Sequence, residues 1–182
     1  MIPLKTPFPW PMQTPAAMNS YYGNPDVNGD GLPDSGWEAL NIVPITPPYP
    51  MKWSWGGVCR TLKVHRLVAA SLTDILKEIG QEFTAADRAR FQLDQCGGGY
   101  NFRVMRGSSR RLSIHSWGAA IDLAPLLNPL GRAYDPARLM MPQKAVAIFQ
   151  KRGWTWGGDW DHDGDTRDQN TLDSMHFQAA FV

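Results

Sequence analysis

The chain of 182 residues has little cysteine, little net charge and no long apolar run. Its two cysteines, Cys59 and Cys96, are too few for a disulfide framework or a four-thiolate zinc site, so we expect free, buried thiols. Basic residues exceed acidic ones by one, which excludes a global field drawing the protein onto nucleic acid or an anionic membrane. No stretch approaches the ~18 apolar residues of a membrane span.

The amino terminus also lacks the continuous apolar segment of a secretory signal peptide, because prolines interrupt it repeatedly. We therefore expect synthesis in the cytoplasm, with any export dependent on another protein. Aromatic residues make up 11% of the chain and include 8 tryptophans, a composition that favours a folded globule over disorder. The length favours a single domain, which we expect to be a monomer.

The prolines are concentrated at one end of the sequence. Eleven of the 15 lie in the first 50 residues, together with Asn, Gly and Asp turn signals over 23–36. Proline lacks an amide hydrogen and breaks helices, so this pattern predicts an extended arm without regular helix. Tryptophan and tyrosine are poor linker residues, and their presence predicts that the arm wraps the core.

Apolar spacing predicts the regular elements of the remaining sequence. Residues recurring every three or four positions predict a helix over 62–79, ended by Gly80. Within it, His65 is predicted to be an edge or core histidine and not a metal ligand. The sequence also predicts strands over 100–105 and 119–123, a short helix over 141–151 closed by a glycine, and strand pieces at 155–156 and 175–177.

The residues that could bind a metal ion or take part in catalysis lie in the second half of the chain. His115 and Asp122 are seven positions apart, and His176 follows later with Asp173 three positions before it. Two neutral imidazoles and one carboxylate are ligands that Zn²⁺ prefers, and a three-ligand set leaves a fourth position open for water. Hydrolysis would also need a base, for which Asp173 is the candidate. Spacing alone leaves open a structural His–Asp hydrogen bond instead of a metal site.

A longer motif favours the metal interpretation. The pattern SxHxxGxAxD, with Ser113, His115, Gly118, Ala120 and Asp122, resembles the zinc peptidases of the M15 family. That family includes D-alanyl-D-alanine carboxypeptidases and dipeptidases, and the L-alanyl-D-glutamate endopeptidases of phage endolysins. The endopeptidase branch is the most similar over about residues 60–182, through the segments GGYNFR at 98–103, WGGDW at 156–160 and MHF at 175–177.

The resemblance implies a role for each matching residue. His115, Asp122 and His176 would bind zinc, and Asp173 would be the general base and later the general acid. Arg103 would stabilise the oxyanion or hold a substrate carboxylate, since a guanidinium suits both tasks.

Two further positions bear on the same site. The resemblance implies that Ser113 orients the substrate or the loop of His115, because no His–Asp pair is spare to activate it as a nucleophile. Gln178 departs from the family pattern, in which many relatives carry glutamate, and this substitution puts a contact to the last histidine in doubt.

An acidic segment before Asp173 suggests a second metal. Residues 159–164 match the opening DxDxDG of a calcium-binding loop, although the glutamate expected at the twelfth position is replaced. A calcium ion could offset the crowded negative charge and order the segment before the base, whereas the alternative is a solvated acidic turn. The candidate calcium ligands are Asp159, Asp161, Asp163, Asp165 and Asn170.

The resemblance implies a single α+β domain of the kind shared by D-Ala-D-Ala peptidases and Hedgehog-type proteins, with a small antiparallel sheet and helices packed on one side. Residues 1–55 would be the Pro-rich arm packed on the core, and 56–182 the zinc peptidase catalytic domain.

The implied function is zinc-dependent hydrolysis of the L-Ala–D-Glu bond of peptidoglycan in phage or prophage lysis, after release through a holin-type pore. The alternatives are a D-alanyl-D-alanine carboxypeptidase or dipeptidase, and a non-catalytic wall-binding module.

Overall fold

Two β-sheets and five α-helices make up the part of the chain that the computed structural model describes, residues 10–169 and 171–182. The helices are α1 (Pro15–Tyr22), α2 (Ser35–Asn41), α3 (Arg66–Glu82), α4 (Ala85–Arg90) and α5 (Gln143–Gln150). The strands are β1 (Ile42–Ile45), β2 (Lys52–Trp53), β3 (Leu62–His65), β4 (Gln95–Gly98), β5 (Ala120–Leu123), β6 (Thr155–Trp156) and β7 (His176–Gln178).

The larger sheet has five strands in the order β2-β4-β5-β7-β6. Its pairings are antiparallel, as predicted, except that the edge strand β2 pairs with β4 in parallel. The parallel pair arises because α3 and α4 lie between the two strands in sequence and carry the chain back to the same end. A smaller sheet pairs β1 with β3.

The prediction that the amino-terminal segment lacks regular helix is wrong. Proline is tolerated in the first turn of a helix, where its missing amide hydrogen would have no partner. Pro15 occupies this position in α1, and the Thr14 side chain caps the helix by accepting from the amide of Ala17. Asp34 caps α2 in the same way. Both helices bury aromatic side chains, Tyr22 and Trp37, against the core.

The predicted helix over 62–79 contains a strand at its start. Leu62 and Val64 are buried while Lys63 is exposed, an alternation with the period of a strand. The helix begins at Arg66 and continues past Gly80 to Glu82. Gly80 lies within the helix, and the ring of Tyr49 packs so closely over it that a Cβ atom would lie 3.1 Å from a ring carbon.

The remaining elements are close to prediction with one exception. Strands β5, β6 and β7 and helix α5 confirm the predicted strands and short helix. The predicted strand at 100–105 is wrong, because the chain forms its strand earlier, at Gln95–Gly98. Only an isolated bridge between Val104 and Leu112 lies in the predicted range.

One hydrophobic core joins these elements into a single α+β domain. Helix α3 contributes five fully buried side chains and contacts α5, and Phe149 of α5 stacks on Phe177 of β7 at 3.8 Å between ring centroids. Cys59 and Cys96 are both free and buried, as predicted. Among the described residues, none of the helices combines the length and the apolar character needed to span a bilayer.

Candidate metal centre

Two neighbouring strands bring the first two candidate ligands together. Asp122 on β5 lies directly opposite His176 on β7 in the antiparallel register. Side chains of directly opposed residues project from the same face of a sheet. The Oδ1 atom of Asp122 lies 3.1 Å from Nδ1 of His176, across 54 residues of sequence.

The third candidate ligand lies on a tight 3₁₀ turn just before β5. Ser113 begins this turn, and its hydroxyl accepts from the amide of His115, so the hydroxyl shapes the loop of the histidine. Gly118 ends the turn in the left-handed region at φ 67°, and a Cβ atom there would lie 2.7 Å from the amide nitrogen of His65. The glycine of the motif is therefore required by both conformation and space.

Hydrogen bonds fix which nitrogen of each imidazole faces the site. Nδ1 of His115 donates to the carbonyl of Gly99 at 2.6 Å, which leaves Nε2 as the free acceptor. Nε2 of His176 lies 3.1 Å from Oε1 of Gln178, and donation to this amide oxygen leaves Nδ1 as the free acceptor. The contact that the glutamine put in doubt is therefore present, with an amide oxygen in place of a carboxylate.

Three acceptor atoms then converge on one point. Nε2 of His115 lies 3.2 Å from both Oδ1 of Asp122 and Nδ1 of His176. With each outward nitrogen donating elsewhere, neutral imidazoles have no proton to place between these atoms, so the group is suited to a positive charge, either a metal ion or the second proton of a charged His176. The donor set of two imidazole nitrogens and one carboxylate oxygen suits Zn²⁺, and the outward hydrogen bonds are typical of histidines that bind metal.

The electrostatics of the group favour a positive charge among the three side chains. Burial would raise the pKa of Asp122, but the two adjacent imidazoles outweigh it and lower the pKa below its usual range. Burial would lower the pKa of His176, but its hydrogen bond to Asp122 and the charge of that carboxylate raise it. Each partner thus stabilises a charged form of the other in the absence of metal.

Asp173 lies beside this group in the same cleft. Its amide donates to the carbonyl of Gly157, and its own carbonyl accepts from the amide of His176. A Cβ atom on residue 157 would collide with the backbone of Asp173, so the glycine permits this close approach. Oδ1 of Asp173 is buried without a hydrogen-bond partner among the described residues, and this burial raises the pKa of the carboxyl.

Two clefts meet at the candidate metal centre. One, of about 520 Å³, is lined by Asp173, Trp160 and Arg111, and the other, of about 680 Å³, by Trp53 and Trp55. Both lie within the range of roughly 300–1,000 Å³ that is usual for ligand sites. Arg103, Arg106 and Asp122 line both clefts.

Comparison with known proteins adds an independent line of evidence. Residues 106–179, less than half of the chain, match the model of a family described as D-alanyl-D-alanine carboxypeptidase. The match supports the M15 peptidase family. It contains all three converging side chains and Asp173, whereas Arg103 lies three residues outside it. No curated protein and no solved structure matched the chain.

Arg103 is held in place by its backbone next to the candidate metal centre. Its amide donates to the hydroxyl of Ser116, and that hydroxyl donates to the carbonyl of Arg103, while Ser113 donates its amide to the same carbonyl. The residue is half-buried and lines both clefts, and its guanidinium donates to the carbonyl of Val104 at 3.5 Å. This placement keeps the charge next to the site without an ion pair that would neutralise it among the described residues.

Only part of the predicted acidic loop converges. Carboxylate oxygens of Asp159, Asp161 and Asp163 lie within 4.8 Å of one another. Asp165 instead forms a two-bond ion pair with Arg167, so its charge is already offset. Asn170 lies outside the described residues.

The buried member of this loop is incompletely satisfied. Asp159 is 5% exposed, its Oδ2 accepts from the amide of Gly164, and its Oδ1 has no partner among the described residues. Burial raises the pKa of this carboxyl.

Sequence reasoning missed three features of the site. The carbonyl of Gly99 binds Nδ1 of His115, and the hydroxyl of Ser116 binds the backbone of Arg103. Neither contact can be predicted from the residue types alone. Trp160 forms a wall of the cleft with its ring 5.7 Å from that of His176, and its indole nitrogen donates to the carbonyl of Thr171. Its position in the quoted segment WGGDW could have marked it as a lining residue.

Proposed function

We propose that the protein is a zinc-dependent endopeptidase that hydrolyses the L-Ala–D-Glu bond in the stem peptide of peptidoglycan. The observation that carries this proposal is the convergence of His115, Asp122 and His176 beside the unpartnered carboxylate of Asp173. The family match supports the coarser part, a metallopeptidase that acts on peptidoglycan.

The residues of the chain supply distinct parts of the reaction. Zinc held by the three side chains would supply a Lewis acid and lower the pKa of water at the site. Asp173 accepts the proton of the attacking water and returns it to the departing amine, which needs a carboxylate free of other partners. The guanidinium of Arg103 stabilises negative charge that develops on the carbonyl oxygen.

The clefts support cleavage within a peptide over removal of a terminal residue. An endopeptidase must accommodate substrate on both sides of the scissile bond, and the two clefts that share Asp122 provide this room. A D-alanyl-D-alanine carboxypeptidase or dipeptidase is the second candidate, favoured by the description of the matched family.

A wall-binding module without activity fits the site less well. Binding alone does not need a carboxylate with a raised pKa beside a metal-ligand set, because a buried unpartnered oxygen destabilises the fold.

Defined substrates separate the three candidates. The zinc-loaded protein is incubated with a disaccharide stem pentapeptide, and the products are identified by mass spectrometry. The proposal expects a fragment with a new D-Glu amino terminus, and it expects this fragment to be absent with the His115→Ala variant. Free D-Ala or its dipeptide would favour the carboxypeptidase, and intact substrate that stays bound would favour the binding module.

A lytic role follows from this activity as a further part of the proposal. Cleavage of the stem peptide weakens the wall once the enzyme reaches it, as in an endolysin released through a pore. Expression in a bacterial host with and without a co-expressed holin tests this role. Lysis only with the holin is expected, and intact cells in both cultures would contradict it.

Calcium binding by the loop of Asp159, Asp161 and Asp163 remains a prediction. The unpartnered, buried Oδ1 of Asp159 supports it, and oxygen ligands at alternating positions suit calcium. Calorimetry with Ca²⁺ on the zinc-loaded protein, compared with an Asp161→Ala/Asp163→Ala variant, tests it. Binding at roughly micromolar to millimolar calcium that the variant loses is expected, and no heat in either protein would contradict it.

A further inference from the structure

An exposed aromatic platform lies at the end of the second cleft. The indole rings of Trp53 and Trp55 stack almost in parallel, with centroids 4.9 Å apart and planes 9° apart. Trp53 is partly buried against the core, whereas Trp55 is 68% exposed. The observation that distinguishes Trp55 from the other exposed apolar side chains is that it stacks on a second indole and lines a cleft that reaches the candidate metal centre.

Backbone hydrogen bonds connect the platform to the candidate metal centre through β4. The turn after Trp53 closes through hydrogen bonds between Trp53 and the glycines that follow, and Gly56 and Gly57 have positive φ of 109° and 85°. Ser54 donates its amide to the carbonyl of Cys96 in β4. Gly99, the residue after that strand, accepts a hydrogen bond from the candidate ligand His115. The platform and the candidate metal centre are therefore both hydrogen-bonded to β4 or to the residue that follows it.

The side chains that line the two clefts differ, and the difference indicates which part of the substrate each cleft would bind. The first cleft adds Arg111 to the two arginines common to both clefts, so three guanidinium groups can pair with the carboxylates of the D-Glu side of the substrate. The same cleft is also lined by the carboxylates of Asp161, Asp168 and Asp173, so the substrate carboxylates must lie on its arginine side. The second cleft replaces Arg111 with the two indoles and with polar groups from Thr61, Lys63 and Asn101. The negative face of an aromatic ring attracts the weakly positive C–H groups of a pyranose, and polar neighbours can bind its hydroxyl and acetamido groups.

We propose that the Trp53–Trp55 platform binds an N-acetylated amino sugar of the glycan strand. This inference rests on the proposed function, because in peptidoglycan the amino end of the stem peptide, the L-Ala side, is linked to such a sugar. A substrate with D-Glu beside the arginines of the first cleft then directs its sugar along the other cleft towards the indoles. The platform selects stems that are still attached to glycan.

The test compares one stem peptide with and without its sugar. The ratio of kcat/KM for the sugar-linked substrate to that for the free peptide is measured in the wild type, in Trp55→Ala and in Trp55→Phe. Base stacking on aromatic side chains in nucleic-acid complexes offers a scale of roughly tenfold per ring, so Trp55→Ala should lower the ratio about tenfold. Trp55→Phe should retain most of it. Leu40→Ala, which truncates a side chain that is 76% exposed and outside both clefts, should leave the ratio unchanged.

A second measurement does not depend on cleavage. Calorimetric titration with a tetramer of N-acetylglucosamine should show binding by the wild type and its loss in Trp55→Ala. An unchanged cleavage ratio in Trp55→Ala, or equal affinity of both proteins for the tetramer, would overturn the sugar site. If the wild type cleaves neither substrate, the proposed endopeptidase function fails, and the titration alone decides whether the platform binds sugar.

Discussion

Acid should destabilise the fold through one buried histidine, His65. It is fully buried at the start of α3, where its Nδ1 accepts from the amide of Leu67 and its Nε2 donates to the carbonyl of Tyr22. Both nitrogens are satisfied only in the neutral form with the proton on Nε2. Protonation of Nδ1 would place its N–H opposite the N–H of Leu67, so the hydrogen bond that caps the helix would be lost.

The structure gives the direction and size of this effect. Burial lowers the pKa of His65 from 6.5 to about 4, the bond to Tyr22 opposes this, and the charge of Arg66 adds to it. The unfolded chain therefore binds a proton between about pH 6.5 and 4 that the folded chain does not, so stability falls as the pH falls through this window. At about 1.4 kcal/mol per pH unit, the loss reaches about 3 kcal/mol.

Urea unfolding of the wild type and His65→Asn at pH 7.5 and pH 4.5 measures this contribution. Asparagine keeps an oxygen that can cap α3 but does not titrate. All other titratable groups are common to both proteins, so the difference between their pH dependences isolates the histidine. We expect the free energy of unfolding of the wild type to fall by about 2–3 kcal/mol more than that of the variant. Parallel pH dependences would refute the reasoning.

Three further predictions concern the metal centre. The purified wild type should contain about one zinc per chain by atomic emission, and His176→Ala should lose both the metal and activity, whereas full activity in that variant would exclude a metallopeptidase. Asp173→Asn should keep its zinc while turnover on the stem peptide falls by roughly 10²-fold or more, and loss of zinc would make Asp173 a ligand instead of the base. Gln178→Leu should weaken zinc affinity by roughly 10–100-fold, measured by competition with a chelator. Gln178→Glu is the control, because it keeps an acceptor for Nε2 of His176. Equal zinc affinity in the wild type and Gln178→Leu would show that the contact to His176 does not orient the ligand.

The sequence predicts elements well where one structural period dominates. Helix α5 and strand β5 follow their apolar patterns and have no competing interpretation. The segment 62–65 satisfies both periods, because Leu62 and Val64 fit an alternating strand and also the first positions of a helical stripe. Pairing with β1 decides the outcome, and a partner 20 residues away is not visible in a local window.

The candidate site shows a similar division. The motif around His115 and Asp122 marks a possible metal site by residue type and spacing. The distant His176 completes the set through the register of β5 and β7, which spacing alone does not specify. The carbonyl of Gly99 fixes the proton of His115, and every residue has a carbonyl, so the sequence carries no signal for that contact.

The most direct measurement is digestion of purified peptidoglycan by the protein after removal of metal and again after addition of zinc. Amino termini released from the wall are labelled and identified by mass spectrometry. We expect new D-Glu amino termini with zinc, none after chelation, and none with the His115→Ala variant at any zinc concentration. Equal release of D-Glu amino termini with and without metal, or release of D-Ala alone, would contradict a zinc-dependent endopeptidase at this site.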